Sequence, residues 1–291
     1  MKTTSLLLDK LCFSYPSDPE NTVFESLYAR IPLDSETLIL GGNASGKSTL
    51  AKLLGCLDEP TEGKIVWPVT RQSGKNPGWE PIRAGVVFEN PRFQFQSFYV
   101  KEELEAGLIY RGAGTGERKR AISKAAEELG LEPYLEMGVQ DLEAPVQLAV
   151  LVASFLLLSP RLLVLDFSLA LLEKAFCERL LNECRAPSGP ALVVLSRRAD
   201  DLALIGSPAT AFLLKNGKLK EFPATEDNPQ VLEILERADI LLPWYAHLTA
   251  ELHKKGLTSR IFYENEKDLI GEVNAAVRRK TGCDPANRGS C

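Results

Sequence analysis

The chain has 291 residues, of which 45% are hydrophobic and 25% charged, enough to bury a substantial core in one large domain or one domain with an appendage. A net charge of −5 with no long Lys/Arg run argues against a nucleic-acid partner. The N-terminal MKTTSLLLDKLCFSYP has too short an apolar stretch and too early an acidic residue for a secretory signal, so the chain is expected to stay in the cytosol.

Strand-like and helical runs alternate, the pattern of an α/β domain with a central sheet. The expected strands are Thr37 to Leu40, Gly85 to Phe88, Leu162 to Leu165, Ala191 to Leu195 and Ala209 to Leu214. Helices are expected over Lys47 to Leu57, Lys101 to Leu108, Glu117 to Leu129, Val146 to Leu158 and Leu171 to Cys184. Arg71 to Pro81 and Gly112 to Gly116 read as surface loops. The apolar segment Pro145 to Leu165 is cut by Ser159-Pro160-Arg161 and fits a buried helix and strand better than a membrane span. His247 and His253 read as surface or packing residues on a C-terminal helix, and the six cysteines include no CxxC pair. The tail GCDPANRGSC, with Cys283 and Cys291, reads as disordered.

GGNASGKST, residues 41 to 49, satisfies the GxxxxGK[ST] pattern between an expected strand and an expected helix. Backbone N–H groups of Gly41, Gly42, Asn43, Ala44, Ser45, Gly46 and the first helical turn would curl around phosphate oxygens. Lys47 would neutralise the terminal phosphates, Ser48 would hold Mg²⁺, and Thr49 completes the motif. Ala44 stands where related loops have glycine, and a positive φ there costs about 1 kcal/mol. Asp166 ends the run LLVLD, where a carboxylate either completes the Mg²⁺ shell opposite Ser48 or caps the next helix.

Together these residues resemble the ATP-binding cassette (ABC) ATPases, and within them the energy-coupling factor type that drives vitamin, cobalt or nickel importers. FSYP (Phe13 to Pro16) is similar to the adenine-stacking segment, with Tyr15 as the platform, although a plain strand aromatic reads the same. VVFENPRFQF (Val86 to Phe95) is similar to the loop joining the catalytic core to the helical subdomain, with Glu89 in place of its glutamine. Glu89 could face the metal, and a lesser reading makes it a replacement base. Asn228 to Leu257 resembles the C-terminal segment of the energy-coupling factor branch.

The departures fall on the chemistry. The stretch matching the signature LSGGQ reads LEAPV (Leu142 to Val146), which puts a carboxylate at Glu143 and removes an N–H at Pro145. The family's basic glutamate is Phe167, which has no lone pair to accept a proton. Its switch histidine is Arg197, either a fixed charge toward the terminal phosphate or a surface arginine. The helix that follows LEAPV reads as a buried core helix or an apolar surface for a partner.

The resemblance implies a P-loop α/β core at residues 1–222, with a helical subdomain at about 90–160. A C-terminal helical extension would follow at 223–280 and a disordered tail at 281–291. It also implies ATP and Mg²⁺ as cofactors, with no intact catalytic set. The partners would be a paralogous ABC ATPase subunit in a heterodimer and an integral membrane subunit, placing the chain at the inner face of the membrane. The alternative is a scaffold that keeps the fold for assembly alone.

Overall fold

The computed structural model describes residues 5–68, 82–206, 210–223, 230–263 and 266–281. It begins with two long strands, β1 (Ser5–Tyr15) and β2 (Asp18–Pro32), followed by β3 (Glu36–Gly41), α1 (Lys47–Leu54), β4 (Glu62–Val66) and β5 (Ala84–Phe88). Three helices come next: α2 (Val100–Tyr110), α3 (Thr115–Leu129) and α4 (Ala144–Leu157). Then β6 (Leu162–Asp166), α5 (Lys174–Arg185), β7 (Ala191–Ser196), α6 (Asp200–Ile205), β8 (Thr210–Lys215) and β9 (Lys218–Glu221) complete the core. The C-terminal segment carries α7 (Gln230–Glu236), α8 (Ala246–Lys254) and α9 (Glu266–Thr281).

Two sheets form. The larger has the order β5-β6-β7-β3-β8-β9; its first five strands run parallel and β9 closes the edge antiparallel. Alternation across the pleat sends side chains to opposite faces. Leu38, Leu40, Leu163, Leu165 and Val194 join the core under α2 to α6, while Ile39, Val164, Val193 and Leu195 join the core under α1 and the smaller sheet. That smaller sheet, in the order β2-β1-β4, is antiparallel. It was not anticipated from the sequence, because repeated register shifts along β1 and β2 break the period-two signal.

The helix expected to reach Leu57 stops at Leu54, with Gly55 as its C-cap and Cys56 at φ +55°. The helix expected from Leu171 is a short 3₁₀ turn, Leu169–Leu171, followed by an extended Leu172 and then α5. The apolar helix after LEAPV is core: Gln147 to Ala153 are buried, which settles the choice against a partner-facing surface for that stretch. His247 pairs with Glu236 at 2.9 Å and His253 Nδ1 lies 3.0 Å from the Thr258 carbonyl. Helix α9 runs to Thr281, the first residue of the stretch expected to be a disordered tail. The Arg71 to Pro81 loop, Ala209, Asn228, Cys283 and Cys291 lie outside the described residues. Among the described residues no helix is long and apolar enough to cross a membrane.

A buried carboxylate fixes the entry to the helical part. Glu103, on α2, accepts the N–H groups of Gln96 and Ser97 at 2.9 Å each, which holds the loop from β5 against the helix. Glu103→Ala leaves both donors unpaired and is expected to lower stability by about 1–3 kcal/mol in urea denaturation, with Glu103→Gln losing less.

Candidate nucleotide site

Register builds the site. Leu40 of β3 lies opposite Ser196 of β7, and Phe88 of β5 lies opposite Asp166 of β6, so these strands end side by side. The residues after them rim one crevice at the carboxyl edge of the sheet, where open α/β sheets bind ligands. A cleft of about 640 Å³ opens there, lined among others by Lys47, Ser48, Glu89, Asp166, Arg197 and Leu241. A second hollow of about 320 Å³, lined by Tyr15 and Ala44 to Thr49, meets it across the loop.

The loop between β3 and α1 is a cradle that side chains would fill. A Cβ on Gly41 would come within 2.9 Å of the Leu214 carbonyl, and one on Gly42 within 3.2 Å of the Ala238 carbonyl. Gly46 takes φ +97° at the N-cap of α1, and its Cβ would meet Phe24 and Val23 at 3.0 Å. Ala44 sits at φ +55°, so the strain anticipated for its methyl group is present. Lys47 Nζ reaches back to donate to the carbonyls of Gly41 (2.9 Å) and Gly42 (2.8 Å). No side chain caps α1 and no acidic residue occupies its first turn. Its free N–H groups and positive dipole end therefore face the cleft, a donor set that suits phosphate.

Asp166 is buried and Lys47 half-buried. Burial lowers the pKa of Lys47, with Arg197 adding to the shift and Asp166 and Glu89 opposing it. Burial raises that of Asp166, opposed first by a hydrogen bond from Ser48 and then by Lys47. Asp166 ends β6 and lines the cleft with Ser48, while the N-cap of the next turn is Ser168. The oxygens of Ser48 and Asp166 suit Mg²⁺, a hard cation, with the exposed Glu89 on the same cleft.

The remaining expected residues fall as follows. Tyr15, half-buried, pairs its hydroxyl with Thr49 Oγ1 at 2.8 Å, edge-on to Phe13 and with Lys52 Nζ 5.4 Å from its ring. Arg197, half-buried, donates from Nη1 to Asn43 Oδ1 at 2.7 Å, bridging the loop after β7 to the phosphate loop. Phe167 is buried among Leu165, Leu169 and the helices beneath the sheet. LEAPV stands at the start of α4, with Glu143 exposed as its N-cap and Pro145 in the first turn. Gln94, unassigned from the sequence although it lies in the quoted loop, locks that loop. Its amide donates to the Val86 carbonyl at 2.9 Å and accepts the Phe88 N–H at 2.7 Å.

Residues 24–169 match the family model for ABC transporters. The chain belongs to the ABC transporter family. The energy-coupling factor transporter ATP-binding protein EcfA1 of Lactobacillus delbrueckii subsp. bulgaricus is 24% identical over 93% of this chain and 96% of its own length. The protein of the same name from Oceanobacillus iheyensis is 28% identical over 82% and 86%. Among solved structures, the fold matches cbiO1 of Clostridium perfringens, part of the ABC transporter complex cbiONQ. The TM-score is 0.64 at 21% identity, over 85% of this chain and 99% of that one. It also matches a dimeric ATP-binding cassette with ADP and Pi bound, with a TM-score of 0.61 at 20% identity, covering 76% and 99%. The P-loop α/β fold with its helical part is thus an ABC ATPase fold.

Within this cassette a third carboxylate was not anticipated. Asp201, fully buried, accepts the Ser168 hydroxyl at 3.0 Å and the Leu169 N–H at 2.9 Å through Oδ1, tying the turn after β6 to the first turn of α6. Its Oδ2 has no hydrogen-bond partner among the described residues. Burial pushes its pKa up to about 6, against the hydroxyls of Ser196 and Ser168, which favour the charged form. A carboxyl with a raised native pKa binds more protons folded than unfolded, so the native state loses stability as pH rises from about 4 to about 6. The loss is on the order of 3 kcal/mol. Asp201→Asn is expected to remove that part of the pH dependence in denaturant titrations, with the difference from the unmodified protein growing between pH 4 and 6.

Proposed function

We propose that the chain is a nucleotide-binding subunit of an energy-coupling-factor-type ABC transporter. It binds MgATP, hydrolyses little or none by itself, and pairs with a competent ATPase subunit to couple nucleotide binding to import of a small solute, a vitamin or metal ion, by a membrane partner. The observation that carries this reading is the pairing, at one crevice, of a complete phosphate cradle with a buried Phe167 where the family has its base. ATP bound here would bring the anhydride bond that such proteins cleave. This chain's own residues would hold and orient it, with Lys47 and Arg197 supplying positive charge and Ser48 and Asp166 oxygens for Mg²⁺. Tyr15 would stand beside the base in the second hollow.

Heterodimer formation is supported by the two separate defects. Family cassettes combine one subunit's phosphate loop with the other's signature. Here the signature position offers Glu143, which repels phosphate, and Pro145, which has no N–H. Two copies of this chain would give a composite site with neither base nor cap. A competent partner brings one complete set of its own catalytic residues, though that site still faces this chain's poor cap.

Isothermal titration should show MgATP binding that Lys47→Ala weakens about tenfold or more, as expected for a lost charge-assisted contact. Absence of binding at millimolar nucleotide would favour the scaffold alternative instead. Phe167→Glu should not restore turnover in the isolated chain, because the cap stays defective and a carboxylate introduced at a buried position costs stability. Steady phosphate release by the unmodified chain, abolished by Lys47→Ala, would require Glu89 or another group as the base.

A further inference from the structure

The C-terminal segment forms part of the wall of the nucleotide cleft. After α7 the chain turns at Asp239, φ +57°, and passes beside both the phosphate loop and the loop after β7. On one side, the Ala238 carbonyl and the Asp239 Cβ stand where a side chain on Gly42 would be, at 3.2 and 3.4 Å. On the other, Leu241 makes a parallel bridge with Arg198. Its N–H donates to the Arg197 carbonyl at 2.8 Å and its carbonyl accepts the Ala199 N–H at 2.9 Å. Ala238 and Ile240 are buried in the main core, so this strap is anchored and does not lie loosely on the surface. Arg197 is therefore braced twice: its backbone by Leu241 and its guanidinium by Asn43.

We propose that the 238–241 strap is a positioning element of the nucleotide site, holding Arg197 on the cleft side of the phosphate loop so that the C-terminal segment reads the terminal phosphate of a nucleoside triphosphate. This rests on the nucleotide-binding reading above and adds to it a route by which occupancy reaches the segment beyond the core. Arg197 lines the cleft that holds Lys47, Ser48 and Asp166, and not the hollow on the Tyr15 side. A nucleotide with its base toward Tyr15 therefore places its third phosphate, and not its second, nearest the guanidinium.

The test compares affinities for MgATP and MgADP in four proteins: unmodified, Arg197→Ala, Leu241→Pro and the double variant, with Leu241→Ala as the conservative control. Leu241→Pro removes the N–H that holds the Arg197 carbonyl, whereas Leu241→Ala keeps it. The unmodified chain should favour ATP over ADP by about tenfold or more. Arg197→Ala and Leu241→Pro should each collapse that ratio while changing ADP affinity less than about twofold, the double variant should be no worse than Arg197→Ala, and Leu241→Ala should keep the ratio.

Should Leu241→Pro fail to fold, hydrogen exchange on the unmodified chain decides. MgATP should protect the peptides spanning 197–199 and 238–241 more than MgADP does, and Arg197→Ala should erase that difference. Equal protection by the two nucleotides, additive losses in the double variant, or equal loss of ATP and ADP affinity in Leu241→Pro would overturn the proposal. A chain that binds ATP and ADP alike overturns it and leaves nucleotide binding standing; a chain that binds neither overturns both.

Discussion

The site depends on one constraint: β5, β6, β7 and β3 are parallel and end in register. Leu40 beside Ser196 and Phe88 beside Asp166 mean that four separate stretches of sequence leave the sheet at one edge. A one-residue slip in any of these pairings would turn each strand's side chains to the opposite face. Leu38, Leu40, Leu163 and Leu165 feed one core while Ile39 and Val164 feed the other, so the register is fixed by burial on both sides. Burial of two separate cores thus places Lys47, Asp166, Glu89 and Arg197 around a single crevice.

On the proposed reading, the same burial lets the position after Asp166 lack a base without damage to the fold. The residue after Asp166 leaves the strand at the boundary between cleft and core, where a phenylalanine can turn inward. Phe167 has done so, with 3% of its surface exposed. A phenylalanine there offers no proton acceptor and adds apolar burial, which favours the folded state by about 25 cal/mol per Å² removed from water. Two polar links then stand close to the altered turn: Ser168 and Leu169 on Asp201, and Arg197 on Asn43. The first ties that turn to α6 and the second ties two loops to one another. On the proposed reading, this chain keeps a rigid nucleotide cradle whose changes of state would pass to its neighbours.

Much of this was legible in the sequence, for identifiable reasons. The phosphate loop shows because glycine is needed where the backbone takes φ +97° at Gly46, and because Lys47 must span back to the Gly41 and Gly42 carbonyls. The five parallel strands show because strands buried on both faces are continuous apolar runs. The antiparallel sheet did not show, since Lys10 and Ser26 sit at positive φ within β1 and β2 and interrupt the alternation. Asp201 and Leu241 were also invisible as site residues. Their roles come from strand ends and a turn brought together across the fold, Leu241 acts through its backbone, and no spacing rule encodes either.

The most direct test of the account is the chemical state of nucleotide recovered from the isolated chain. The protein is held with MgATP for many hours, separated rapidly from free nucleotide, denatured, and its bound nucleotide resolved by ion exchange. The account predicts intact ATP, with no more ADP than a protein-free control accumulates. Recovery of bound ADP in excess of that control, lost on Lys47→Ala, would show that this site cleaves ATP despite Phe167 and would contradict it.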